Sequence, residues 1–252
     1  MELKVVSTGS KGNCYLLEHN HHILVLDAGI RFNDMMPAIK YQLANVDAVL
    51  CTHEHQDHSK AVPELVDRGV PVVMTKGTMM EVVGSSDYLV RSAKPWIRQW
   101  SDQVVTGSWI VKLFDVPHDA VEPAGFLIWH NETKSKILYL TDARWCGYQF
   151  AGLTHIVIEC NYVQDVIEKN FRLGHLSKPL YRRITDSHMS LETLADYLQS
   201  LDLSSCQKIV LTHLSDSNSD ADRMVKTIAR VTGVDTIAAE DGQIISFDRF
   251  GF

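Results

Sequence analysis

No block of five or more like charges occurs in the 252 residues, and Lys and Arg (24) are outnumbered by Asp and Glu (31), giving a net charge of −7. Neutralising phosphates with a basic stripe supplies most of the non-specific affinity of proteins that grip long nucleic acid. The composition argues against such a stripe, although Arg182 and Arg183 with Arg172 and Lys178 mark a local basic spot. Cysteine is scarce and scattered: Cys14, Cys51, Cys146, Cys160 and Cys206 are odd in number and contain no C-x-x-C pair. That excludes a disulfide framework and a thiolate zinc site, and free thiols fit a reducing cytoplasm. No run approaches the 18 apolar residues of a membrane span, and "MELKVVSTGS" lacks the pattern of a signal peptide, so the expectation is a cytoplasmic protein with no membrane partner. A Pro/Gly/Ser-rich linker and low-complexity tracts are missing too, which predicts one domain over 1–252.

With 45% hydrophobic residues the chain can bury a sizeable core. Short β-type runs come first, "LKVVS", "CYLLE" and "ILVLDAG", with "HNHH" at 19–22 as a hairpin turn between the last two. A helix is predicted over 33–43, then the strand "VDAVLCT", a loop, and a helix near "KAVPELVDR" closed by Gly69. Strands follow at "VPVVM", "WIVKLFDVP", "AGFLIWH", "SKILYLT" and "HIVIEC". Apolar residues at helical spacing, Leu191, Leu194, Ala195, Leu198 and Leu201, then Ala221, Met224, Val225 and Ile228, bracket the strand "KIVLT", and "DTIAA" and "QIISF" are the last strands. Interleaved strands and helices predict an α/β protein with two sheets packed face to face and helices outside. Trp96, Trp100 and Trp109 read by default as core or interface.

Within "CTHEHQDHSK" (51–60), His53, His55, Asp57 and His58 crowd six positions directly after an apolar strand. Imidazole and carboxylate at this density are ligands for first-row divalent metals, since residues two apart in an extended loop converge on one ion while the next pair turns toward a second. A two-metal site needs more ligands. His118, Asp142 and His213 each fall just past a predicted strand, where a rigid scaffold presents side chains to a site.

This set resembles the metallo-β-lactamase superfamily, an αββα four-layer sandwich. The resemblance implies that His53, His55 and His118 hold one ion, Asp57, His58 and His213 the other, with Asp142 bridging. It also implies that Asp27 in "LVLDAG" supports the ligands from behind, and that Zn²⁺, or alternatively Mn²⁺, fills two divalent sites. Asp142 stands where true β-lactamases carry Cys. The blocks "STGSKGNCYLL", "THEHQDHSK", "VPHDAVEPAGF", "IECNYV", "RRITDSHMS" and "LTHLSDSN" resemble, in order and spacing, the YycJ/WalJ-like branch, itself similar to tRNase Z. Through these blocks Asn13, Ser215 and Asn218 become supporting or substrate residues. His188, ahead of the helix bearing Leu191, becomes the acid that protonates a leaving oxygen, with Asp57 orienting the attacking water.

The chemistry expected is phosphodiester hydrolysis. The chain also resembles compact phage anti-Pycsar enzymes, which open 3′,5′-cyclic mononucleotides such as cCMP and cUMP and so counter host immune signalling. That resemblance, together with the acidic balance and compact length, favours a cyclic mononucleotide substrate, a homodimer and, for a phage-encoded protein, the host cytoplasm. The alternatives are a YycJ/WalJ-like exonuclease acting on DNA or RNA, the one reading with a nucleic-acid partner, and a metal-binding protein that does not catalyse.

Overall fold

The computed structural model describes residues 1–84 and 103–248; Trp96 and Trp100 lie outside them. Although no linker marks a boundary, the chain divides into two compact units. The first comprises the described parts of Met1–Asp115, Ala120–Ser135 and Glu240–Phe252; the second comprises Val116–Asp119 and Lys136–Ala239.

The first unit opens with β1 (Glu2–Ser7), β2 (Cys14–His19) and β3 (His22–Leu26) as an antiparallel meander. Asn20 and His21 turn "HNHH" through left-handed conformations, φ 48° and 67°, while His19 pairs with His22, the two-residue hairpin expected from the sequence. The helix predicted over 33–43 shrinks to α1 (Phe32–Met35) and a 3₁₀ turn at Leu43–Asn45. Pro37 is the reason: it has no N–H to donate back along the helix, and its ring meets the carbonyl one turn earlier. Lys40 and Tyr41, at φ 53° and 59°, then reverse the chain.

Next come β4 (Val46–Leu50), α2 (Gln56–Ser59), α3 (Val62–Asp67), β5 (Val72–Val73) and α4 (Lys76–Val82). The loop predicted after β4 thus contains one helical turn, and Pro63 sits in the first turn of α3, where its missing N–H costs nothing. β4 and β5 run parallel beside β3, giving a six-stranded order β13-β1-β2-β3-β4-β5 once β13 (Ile244–Ser246) pairs with β1. A separate antiparallel ladder joins β6 (Gln103–Thr106), β7 (Trp109–Asp115) and β8 (Ala124–His130). Trp109 is fully buried and donates its indole N–H to Asp47 of β4 at 3.0 Å, so it is a core residue.

The second unit holds four parallel strands, β9 (Ser135–Leu140, from its second residue), β10 (His155–Glu159), β11 (Lys208–Thr212) and β12 (Asp235–Ala238). β10 is buried at every position, which explains why "HIVIE" reads as a continuous apolar run. Four helices complete it: α5 (Gln164–Arg172), α6 (Lys178–Ser187), α7 (Leu191–Ser200) and α8 (Ala221–Thr232). α7 and α8 follow the predicted spacing. α5 and α6 gave no such signal, because each buries only one residue, Ile167 and Ser187. Among the described residues no helix is long and apolar enough to cross a membrane, and none of the five cysteines forms a disulfide.

Candidate metal centre

In the first unit β3 and β4 end side by side, the Asp27 N–H donating to Leu50 O at 2.8 Å. Asp27 is fully buried at φ 54°, a conformation few side chains tolerate, and the surrounding contacts hold it there. Its carboxylate accepts from the Thr52 N–H at 2.8 Å and the Thr52 hydroxyl at 3.0 Å, and lies 2.8 Å from His58 Nδ1. With Nδ1–H directed at Asp27, the His58 ring presents Nε2 with its lone pair, which is how a carboxylate behind a histidine prepares it as a ligand. Thr52 also stands 3.0 Å from His53 Nδ1, and His53 Nε2 and His55 Nδ1 lie 3.0 Å apart. Asn13 is buried and donates to Gly9 O at 3.1 Å and Asp57 O at 3.3 Å, with its Nδ2 3.1 Å from His58 Nε2. Asp57, in the first turn of α2, places Oδ2 3.6 Å from the same nitrogen.

A second group forms in the other unit. Asp142 and His213 follow β9 and β11 at φ 47° and 53°, so both leave their strands through strained left-handed turns. His118 Nε2 is 3.5 Å from Asp142 Oδ2, its Nδ1–H donating to Ser187 O at 2.9 Å. His213 Nε2 is 3.6 Å from Asp142 Oδ1, and Asn161 Nδ2 lies 3.0 Å from His213 Nδ1 and donates to the His213 carbonyl at 3.0 Å. His188 places Nδ1 2.6 Å from Glu159 Oε1 and 3.9 Å from Asp142 Oδ2. Donor atoms of Asp142, Glu159, His188 and His213 all lie within 4.8 Å of one another.

The charges explain one another. Burial alone would lower the His188 pKa, but the Glu159 carboxylate, by charge and hydrogen bond, and Asp142 outweigh it and hold it above the ordinary histidine value. His118 moves the other way, since burial outweighs the pull of Asp142. Glu159 is fully buried, which favours its neutral form, yet His188 and His213 keep its pKa below the usual carboxylate value.

Glu159 went unnoticed in the sequence. The signal was a single acid closing an otherwise apolar strand, and its partners His188, His213 and the N–H groups of Ala143 (3.1 Å) and Met189 (3.3 Å) are distant in the chain or unremarkable by type. Asn161 and Thr52 were missed for the same reason. The sequence places His188 ahead of the helix bearing Leu191, at its N-terminus; in the structure it caps the C-terminus of α6, its N–H donating to Ile184 O at 3.0 Å, while Ser190 caps α7. Its environment is therefore set by Glu159 rather than by a helix end. Ser215 and Asn218 brace a turn: Asn218 donates to Ser215 Oγ at 3.2 Å, and its Oδ1 accepts from Asn170 at 2.9 Å. The Ser215 N–H donates to Asn161 O at 2.9 Å, steadying the residue that holds His213.

Paired imidazoles and carboxylates suit borderline divalent cations, and each unit's set fits Zn²⁺ or Mn²⁺ by donor type. In metal-free protein, Glu159→Ala is expected to cost about 3–5 kcal/mol of unfolding free energy in urea titrations, as when one member of a buried ion pair is removed. Because the His188 pKa is raised by folding, the stability it contributes is full below the unfolded histidine value of about 6.5 and fades as pH rises through the raised one. The gap between wild type and Glu159→Gln should therefore be wider near pH 6 than near pH 9.

A sequence model described as beta-lactamase superfamily domain matches residues 22–214. The exodeoxyribonuclease WalJ of Streptococcus pneumoniae serotype 2 is 29% identical over 249 residues, covering 94% of this chain and 88% of that protein. The exodeoxyribonuclease YycJ of Bacillus anthracis is 26% identical over 255 residues, covering 96% and 90%. The crystal structure of the metallo-β-lactamase fold protein YhfI from Bacillus subtilis superposes with a TM-score of 0.70 at 14% identity, covering 97% of this chain and 99% of that one.

Proposed function

Because the chain belongs to the beta-lactamase superfamily and is a metal-dependent hydrolase with the α/β metallo-β-lactamase fold, we propose that it is an exodeoxyribonuclease, hydrolysing phosphodiester bonds at DNA ends. Two relatives of that activity align over almost the whole chain, and this favours the nuclease over the cyclic mononucleotide expected from composition and resemblance. The observation that carries phosphodiester chemistry is the place of His188, its Nδ1 2.6 Å from buried Glu159 and its ring set among Asp142, His118 and His213. A protonated imidazole there can donate to an alkoxide, the poor leaving group that DNA presents.

The ligand division follows the family resemblance: His53, His55 and His118 for one divalent ion, Asp57, His58 and His213 for the other, Asp142 for both. When bound, such ions lower the pKa of water and stabilise charge developing on the phosphate oxygens. The chain supplies the rest. Asp57 orients the attacking water, Asp27 and Asn161 fix the rings of His58 and His213, and His188 gives its proton to the departing oxygen and is recharged from solvent.

The test incubates Mn²⁺- or Zn²⁺-loaded protein with single- and double-stranded DNA, RNA, and 3′,5′-cyclic CMP, UMP, AMP and GMP. Progressive shortening of DNA with intact cyclic nucleotides is the expected result. Opened cyclic nucleotides beside intact DNA would overturn the nuclease and support the small-substrate reading, in which the implied homodimer would be sought by sedimentation.

His188→Ala separates the acid from the ligands. On DNA it should lower kcat by about 10²–10⁴-fold. On bis(p-nitrophenyl) phosphate, whose leaving group departs without a proton, the loss should be much smaller, and metal content should hold. Equal losses on both substrates would refute the proton-donor role.

A further inference from the structure

The chain is acidic as a whole, yet one stretch of the second unit is the reverse. Gln164–Ser187, spanning α5 and α6, carries Lys169, Arg172, Lys178, Arg182 and Arg183 against Asp165, Glu168 and Asp186. All five cations are exposed, and Asp165 is turned away to Arg223 of α8 by two contacts of 2.7 and 2.9 Å. Among the described residues, Lys169, Arg172, Lys178 and Arg182 pair with no carboxylate. The two helices are held by a small cluster, Tyr162, Ile167 and Leu176 with Tyr181 and Ile184, and Phe171 stacks on Tyr181 at 4.6 Å while staying 37% exposed. Arg183 Nε lies 3.6 Å from Asp119 Oδ2, and Asp119 Oδ1 lies 3.3 Å from His118 Nε2, so the cationic face ends at the candidate metal centre. On the segment directly after Asp142, Arg144 is exposed and Trp145 is 52% exposed, with the Arg144 N–H donating to Pro117 O at 3.0 Å.

We propose that the α5–α6 pair is a docking arm for a single DNA strand, its cations meeting successive phosphates and Arg183 delivering the end to His118, where Trp145 stacks a base. Lysine and arginine beside exposed aromatic rings are the combination that holds single strands without reading sequence, charge tracking the backbone and rings stacking bases. The inference rests on the nuclease reading above and adds to it where the polymer lies. It also accounts for how a chain of net negative charge approaches a polyanion: attraction is local, and at physiological salt the screening length of about 8 Å hides most of the remaining surface.

The experiment compares metal-loaded wild type with the triple variant Arg172→Ala, Lys178→Ala, Arg182→Ala. It measures kcat/KM on a labelled single strand of about 20 nucleotides and on bis(p-nitrophenyl) phosphate, with anisotropy of the labelled strand across a salt series. The ratio of DNA to small-ester efficiency should fall at least tenfold. The slope of log affinity against log salt should flatten by about 2, since each lost phosphate contact to a single strand removes about 0.7. Lys226→Ala with Arg230→Ala, exposed cations on α8, should leave the ratio as it was. DNA cleavage with an unchanged ratio and slope in the triple variant would overturn the arm and leave the nuclease standing. Salt-dependent binding that the variant weakens, without cleavage by wild type, would overturn the nuclease and support the arm. A strand that wild type neither binds nor cuts would overturn both, and a triple variant altered only in oligomeric state would show a self-association face and overturn the arm.

Discussion

Replacing His53 and His55 together by alanine is expected to take DNA hydrolysis below detection, a loss on the order of 10⁴-fold or more. The two rings present Nε2 and Nδ1 3.0 Å apart. If the charge stabilisation they secure is worth about 5 kcal/mol, the rate falls by nearly four powers of ten, at 1.36 kcal/mol per factor of ten. Stability gives a readout independent of turnover. A ligand that binds only the folded state at 100 times its Kd stabilises it by about 2.7 kcal/mol, so Zn²⁺ or Mn²⁺ should raise the Tm of wild type and raise that of the double variant far less. In excess chelator the two proteins should melt much closer together. A double variant that kept its metal-dependent Tm shift and its turnover would remove His53 and His55 from the ligand set; one that lost turnover but kept the shift would place them in catalysis without metal binding.

Gly29→Ala should be as damaging to the fold as that pair is to the chemistry. A Cβ built on Gly29 would lie 1.7 Å from Asp57 O, 2.1 Å from the carbonyl carbon and 2.6 Å from His58 N, all backbone atoms that cannot rotate aside. Three segments are laced together at this point. Gly29 N–H donates to Asn13 O at 2.9 Å, Asn13 N–H to Asp57 O at 2.7 Å, and Ala28 N–H to His58 O at 2.8 Å. Overpacking in a core costs about 1–3 kcal/mol, and a clash with immobile main chain belongs at or above the top of that range. Whatever relaxation occurs must carry Asp57 and His58 with it, and a displacement near 1 Å at a catalytic centre costs on the order of 10²-fold in rate. The control is Gly69→Ala. Gly69 also has a positive φ, 79°, but nothing lies within 4 Å of its added Cβ. It should lose about 1 kcal/mol from backbone strain and keep its activity. Equal behaviour of the two variants in urea titration and in turnover would refute the close approach.

Gly29 and Glu159 mark the limit of what could be read from the sequence. Gly29 was visible only as the end of "LVLDAG", and Glu159 only as the end of "HIVIE". Nothing nearby in the chain records that Asp57 would press on one or that His188 and His213 would converge on the other. The helix predicted over 33–43 failed for a local reason that was legible, Pro37, whereas α5 and α6 were missed because their apolar face is narrow, a few residues such as Ile167, Tyr181 and Ile184 within otherwise polar helices. The hairpin at "HNHH" was legible because a two-residue turn depends only on residues beside it.

What the sequence determined by itself was the donor chemistry and the scaffold that presents it. His53, His55, Asp57 and His58 lie within one turn-sized stretch, and Asp142 and His213 each close an apolar run, so residue type and strand periodicity are enough to mark them as candidates. Tertiary structure alone decided which tautomer His58 adopts against Asp27, which pKa His188 acquires against Glu159, and how the exposed cations of α5 and α6 run toward His118. All but the His118–Asp119 contact depend on pairs tens of residues apart, brought within about 4 Å by packing, and interactions of that kind leave no period in the chain.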